Sequence, residues 1–266
     1  MRYPLVIAAA ASCVAISVAA ISAAPKDTAL GAAIHASSRT PANIARDKYR
    51  HPEATLAFFG VKPTDKVVEI WPGGGWYTEI LAPYLGEHGT YIAAAPNERA
   101  RGGVQKLMAA NPAAYGKISF ASFPSTDAAD RVAPGSVDVV LTFRNVHNWS
   151  FGAVDLTQAA FDQMFAMLKP GGTLGLVEHH LPEDANGITE AKSGYMKRSS
   201  VIHFATKAGF QLAGESAVNA NANDTHDYPK GVWTLPPAFA EGDADRAKYA
   251  AIGESDRMTL KFVKPK

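Results

Sequence analysis

The sequence predicts an α/β fold: a doubly wound, mainly parallel sheet with helices on both faces. Three observations predict it. From Lys66 onward, short apolar runs alternate with helical stretches, the signature of repeated βαβ units. The first run, Val67-Val68-Glu69-Ile70, passes directly into the turn Trp71-Pro72-Gly73-Gly74-Gly75 and then a helix start at Trp76. The last two apolar runs, 210–216 and 258–263, have no obvious helix between them, which implies an antiparallel edge strand. The chain has 266 residues, 47% hydrophobic and 19% charged, so it buries a sizeable core and is not disordered. Its formal net charge of +1 gives no basis for non-specific binding to nucleic acid or to an anionic membrane.

The elements follow in order. Residues 1–24 read as a secretory signal peptide: Arg2, an apolar alanine-rich stretch from Leu5, then small residues at Ala20-Ile21-Ser22-Ala23-Ala24. A periplasmic or secreted protein is the expectation, with no membrane association after signal removal. The alternative is a retained anchor, although the apolar run is near the lower limit for a span. The only cysteine, Cys13, lies in the leader, so the mature chain has no thiol chemistry.

Residues 25–65 form an N-terminal helical segment. Ser38-Arg39-Thr40-Pro41 supplies a cap with proline at the first helical position, and a helix over 43–49 follows. Gly60 stands as the C′ residue of a helix from Glu53. The main domain is 66–266. Its candidate strands are 67–70, 90–95, 118–123, 137–142 and 173–178. Helices are expected at 76–85, 98–109, 125–132, 155–168 and 193–208, the last closed by Gly209. Residues 217–257 form a long insertion before the last strand. Long loops without periodicity are often lids or binding loops; the alternative is a flap over an edge strand.

The run from about Leu56 to Lys264 resembles a class I S-adenosylmethionine-dependent methyltransferase. Glu69-Ile70-Trp71-Pro72-Gly73-Gly74-Gly75 is similar to the family's acidic-x-Gly-x-Gly-x-Gly motif. Residues 136–142 resemble its fourth-strand motif, and Leu168-Lys169-Pro170-Gly171-Gly172 its turn before the fifth strand. Phe143-Arg144-Asn145-Val146-His147-Asn148-Trp149, 231–237 and 252–258 resemble a group of exported bacterial proteins described as predicted methyltransferases. The resemblance implies a Rossmann-like seven-stranded sheet, S-adenosylmethionine as cofactor and a small-molecule acceptor.

It also implies cofactor contacts from Glu69, Trp71, Gly73, Gly74, Gly75 and Asn145. Asn97 stands near the ribose position, where the family has an acidic residue and this chain has Ala95. Asp127 stands near the adenine position. Trp71 and Pro72 depart from the pattern, because tryptophan adds bulk and proline removes an N–H. An exported enzyme would also have little of a donor made in the cytosol. The competing readings are therefore an enzyme on the same fold that does not use the donor, and a small-ligand-binding protein.

Ligands in doubly wound folds sit outside the C-terminal strand ends. That edge collects the candidate catalytic residues His147, Glu178, His179 and Arg144. His147 is the candidate general base, since a neutral imidazole accepts a proton near pH 7. The alternative is a histidine satisfied by backbone in a tight loop. Tyr195, expected near the start of the 193–208 helix, is a further candidate. Glu178-His179-His180 also supplies half of a candidate metal site, with His147 or His226 completing it. Adjacent strand-end residues point in different directions, so no metal is assigned. Oligomeric state is not readable.

Overall fold

The computed structural model describes residues 27–127, 129–151 and 154–266. The expected signal peptide lies outside them. Among the described residues, no helix is long and apolar enough to cross a membrane. The chain runs α1 (Thr28–Ile34), α2 (Pro41–Ile44), α3 (Asp47–Arg50), α4 (Pro52–Phe59), β1 (Lys66–Ile70), α5 (Thr78–Leu85), β2 (Thr90–Ala95), α6 (Glu98–Ala110), α7 (Pro112–Tyr115) and β3 (Ser119–Ser122). It continues with β4 (Val137–Phe143), α8 (Thr157–Met167), β5 (Leu168–Leu181), β6 (Met196–Lys197), α9 (Arg198–Lys207), β7 (Gln211–Ser216), α10 (Arg246–Ile252) and β8 (Arg257–Val263).

Seven strands lie in the order β3-β2-β1-β4-β5-β8-β7, and the short β6 pairs with the end of β5. The first five are mutually parallel, whereas β8 is antiparallel to both β5 and β7. The antiparallel strand is thus one place in from the edge, not at it. Burial explains the order: β8 is almost wholly buried, while β7 is largely exposed and polar. A strand of each kind is stable only in those respective positions.

Three expected helices differ. The helix over 43–49 is split into α2 and α3, which turns Arg46 and Arg50 toward one carboxylate, Glu254. Among the described residues of 125–132 no helix forms. There the Ser125 hydroxyl accepts from Asp127 N–H and the Asp127 carboxylate from Ala129 N–H, local bonds that compete with a helix. The helix expected over 193–208 begins at Arg198, so Tyr195 precedes it.

Two apolar layers cover the sheet. On one face Phe161, Met164 and Val201 of α8 and α9 pack on Val68, Ile70 and Leu176. On the other, Leu30, Ile34, Leu56 and Phe59 share a core with Val67, Ile80 and Val139, so the N-terminal helices complete that layer. Gly175 permits the approach of α4, since a Cβ there would lie 2.6 Å from the Phe59 ring. Burial of these side chains stabilises the layers by about 1.5–3 kcal/mol each.

Candidate functional site

A cavity of about 380 Å³ opens at the C-terminal ends of β1, β4 and β5. The first strand and its turn contribute Glu69, Trp71, Gly73 and Gly74, and the loop after β4 contributes Arg144, Asn145, His147 and Asn148. His179 comes from β5. The insertion supplies Trp233, Pro236, Glu254 and Ser255, and the N-terminal helices supply Asn43, Arg46 and Arg50. The insertion therefore lies against the site. Arg46 and Arg50 were not legible as site residues, because their helices read as packing elements.

The loop after β4 is a short 3-10 turn over Val146–Ser150. It is pinned at both sides. Asn145 Nδ2 donates to the Ile70 carbonyl at 2.8 Å, tying the loop to β1. Glu178 Oε2 accepts from Val146 N–H at 2.6 Å, tying it to β5. Asn145 lines the cavity, but its Nδ2 is spent on this bracing and on Thr142 Oγ1 at 3.2 Å.

His147 and Glu178 form a buried dyad. His147 Nδ1 is 2.9 Å from Glu178 Oε1, which also accepts from His179 N–H at 2.8 Å. Both Glu178 oxygens already accept from backbone N–H groups, so His147 Nδ1 donates in this pair, and in the neutral ring Nε2 is then the bare nitrogen. Among the described residues Nε2 has no partner, and the ring lines the cavity beside Trp233, 5.9 Å between centroids.

His179 Nδ1 is 2.5 Å from Ser255 Oγ. Burial, then the neighbouring His147 and Arg144, hold the His179 pKa well below the usual range, so it is neutral. The site thus presents two imidazoles whose Nδ1 atoms are anchored by protein.

His147, Glu178 and His179 each offer one ligand atom within 4.8 Å of the others. Two histidines and a carboxylate suit a metal by composition. Glu178, however, already serves three N–H donors, and Arg144 is a cation on the same loop. His180 stands apart, its Nδ1 2.9 Å from Asp256 Oδ2.

Other expected residues fall differently. Tyr195 is fully buried and donates to Asp224 at 3.0 Å; it does not line the cavity. Asn97 is exposed and caps α6, accepting from Ala100 N–H at 3.1 Å. Asp127 is exposed in the turn after β3. Gly75 packs inward, where a Cβ would meet Leu107 at 2.5 Å.

No family model matches the chain, and no curated protein matches it. Solved structures do. A SAM-dependent methyltransferase from Aquifex aeolicus matches with TM-score 0.56 and 14% identity, over 82% of this chain and 92% of that one. The chain carries the class I methyltransferase fold. The [4+2]-cyclase SpnF matches equally, TM-score 0.56 and 13% identity, over 81% of this chain and 80% of that one. The CurJ carbon methyltransferase gives 0.52 and 13%, over 86% of this chain and 56% of that one. Identity at this level carries the methyltransferase fold and not a reaction.

The methyltransferase fold implies S-adenosylmethionine, and the residues can be tested for it. Gly73 and Gly74 fit: a Cβ on either would meet nothing within 4 Å, so the turn leaves an open floor. The nucleoside half does not fit. Trp71 N–H bonds the Ala94 carbonyl beside it, while its indole Nε1 donates to the Phe123 carbonyl at 2.8 Å. Phe123 follows β3, so the indole crosses the end of β2. It also packs edge-on against Trp149, 6.3 Å between centroids. The indole thus reaches from the glycine turn to the end of β3, and neither Asn97 nor Asp127 lines the cavity.

Glu69 lines the cavity but is buried, and its Oε2 accepts from Tyr91 Oη at 2.5 Å and from Thr78 Oγ1 at 3.4 Å. Burial pushes its pKa up to about 7 against the lowering effect of the Tyr91 and Thr78 hydroxyls.

Proposed function

We propose that the protein is a small-molecule enzyme of proton-transfer type, built on the methyltransferase fold and working without S-adenosylmethionine. One observation carries the reading: the His147–Glu178 pair, 2.9 Å apart and buried, with the imidazole facing the cavity. Glu178 fixes the tautomer and offsets the charge that His147 gains on taking a proton, the logic of a carboxylate–histidine pair. Neutral His179 supplies a second imidazole on the same wall. Arg144 offers positive charge for an anion that develops when the proton leaves. Trp71 across the nucleoside path, Ala95 in place of an acidic residue, and the expected export all support donor-independent chemistry.

The test is hydrogen exchange. Protein in D2O is incubated with a panel of small carbonyl compounds, and incorporation is read by mass spectrometry. The proposal expects deuterium in at least one compound with the wild type and none with His147→Gln. Equal incorporation by both proteins removes the role given to His147.

Methyl transfer is the second reading, favoured by the open floor at Gly73-Gly74 and by the matched methyltransferases. Calorimetric titration with S-adenosylmethionine separates the two. Micromolar binding would replace the first reading with the second; no heat at millimolar donor supports the first.

A further inference from the structure

The cavity carries more positive charge than the fold itself uses. Arg46, Arg50 and Arg144 line it, against two lining carboxylates, Glu69 and Glu254. Glu254 is already shared among three guanidinium groups. It accepts from Arg46 Nε at 2.6 Å, Arg50 Nε at 3.1 Å and Arg257 Nη1 at 3.2 Å. Glu69 is engaged by Tyr91 and half neutralised near pH 7.

Donors are left over. Arg50 is 2% exposed, yet its Nη2 is buried with no partner, and Arg46 Nη2 is in the same condition. Among the described residues the Arg144 side chain has no hydrogen-bond partner at all. The two buried donors, on Arg46 and Arg50, each cost about 1–3 kcal/mol, more when charged, whereas Arg144 is half-buried and opens on the cavity. Arg144 also sits at φ +63, held there by its N–H to the Val177 carbonyl at 2.7 Å. A non-glycine residue in that region costs on the order of 1 kcal/mol. Strain and unpaired charge on one residue, beside a cavity, indicate a group kept for a ligand.

The sign of the charge decides what the ligand is. A divalent cation beside His147 and His179 would face these arginines, and Glu178 has no idle oxygen to offset it. An anion meets the opposite field. We infer that the cavity binds an organic oxyanion, a carboxylate or phosphate held by Arg144 with Arg46 and Arg50 adding to the positive field around it, its apolar body lying against Trp233 and Leu235. Planar guanidinium groups suit both oxyanions. The inference rests on reading this cavity as the substrate site and names the substrate class.

The test titrates the full chain with inorganic phosphate and with benzoate by calorimetry at low salt. At least one probe binds with a millimolar Kd or tighter, and binding weakens as salt rises. Arg144→Gly weakens it by about tenfold or more. The same variant melts at an equal or higher temperature, because glycine accepts φ +63 and an unpaired charge is gone. Arg144→Asn, which also tolerates that conformation, is the second variant if glycine impairs folding.

No heat from either probe at tens of millimolar overturns the inference, and so does unchanged affinity in both variants. His147→Gln keeps probe binding while losing deuterium exchange, so failure of the base role and failure of the anion site are distinguishable. Which probe binds tells carboxylate from phosphate.

Discussion

Glu254→Gln is the sharpest perturbation of the cavity wall. The carboxylate is 4% exposed and touches Arg46, Arg50 and Arg257. Those arginines hold its pKa down from 4.5 to about 2, against the raising effect of burial. At about 1.4 kcal/mol per pKa unit, ionised Glu254 contributes roughly 3 kcal/mol net of its burial cost. Removing one partner of a buried pair independently predicts about 3–5 kcal/mol. The two estimates agree, and either is a large share of a typical 5–15 kcal/mol stability.

The pH dependence has a definite sign. A depressed carboxylate contributes fully above its unfolded value of 4.5 and loses that contribution as pH falls through about 2. Urea unfolding of wild type and variant, at pH values from 7 down to 2, measures the gap. It should be about 3 kcal/mol at pH 7 and close between pH 4.5 and 2. A gap under about 1 kcal/mol at pH 7, or one that stays constant on acidification, would refute the shared-carboxylate account.

Three further outcomes test the floor of the site. Glu69 has the opposite linkage: burial raises its pKa from 4.5 to about 7, so its contribution is full below 4.5 and lost as pH rises through 7. Glu69→Gln should therefore be more stable than wild type at pH 8, by roughly 3 kcal/mol at most, and equal to it near pH 4; denaturant melts at both pH values check this. Gly103→Ala should cost about 1–3 kcal/mol or more, since a Cβ there would lie 2.2 Å from the Gly73 carbonyl oxygen. Gly74→Ala should leave the melting temperature nearly unchanged, because its Cβ enters open space.

Much of the fold was legible because its cause is local. Alternating apolar runs and the glycine turn gave β1 through β5 and the ligand edge. Gly60 closes α4 in the left-handed conformation, as its position implied. The exchange of β8 and β7 was not legible, because it depends on which of two late strands has two apolar faces to bury. That the described residues of 125–132 are not helical depends on Ser125 and Asp127 side chains competing for the backbone.

At the site, strand-end reasoning gathered Glu69, Arg144, His147, Glu178 and His179. It could not show that Glu178 turns back to His147, which is set by the register of β5 against β4. It assigned Asn97 and Asp127 from the family pattern, whereas one caps a helix and the other stays in a turn. Arg46 and Arg50 were invisible because only the break between α2 and α3 aims them at the cavity. Trp71 was a visible departure from that pattern, but only the bond to Phe123 tells what its indole fills.

The central claim is that Glu178 holds the proton on His147 Nδ1 and leaves Nε2 bare toward the cavity. Nitrogen-15 NMR of the imidazole near neutral pH reads the tautomer directly. The account predicts a protonated Nδ1 and an unprotonated Nε2 in wild type, with that preference lost in Glu178→Ala. A wild-type spectrum showing the proton on Nε2 would contradict it.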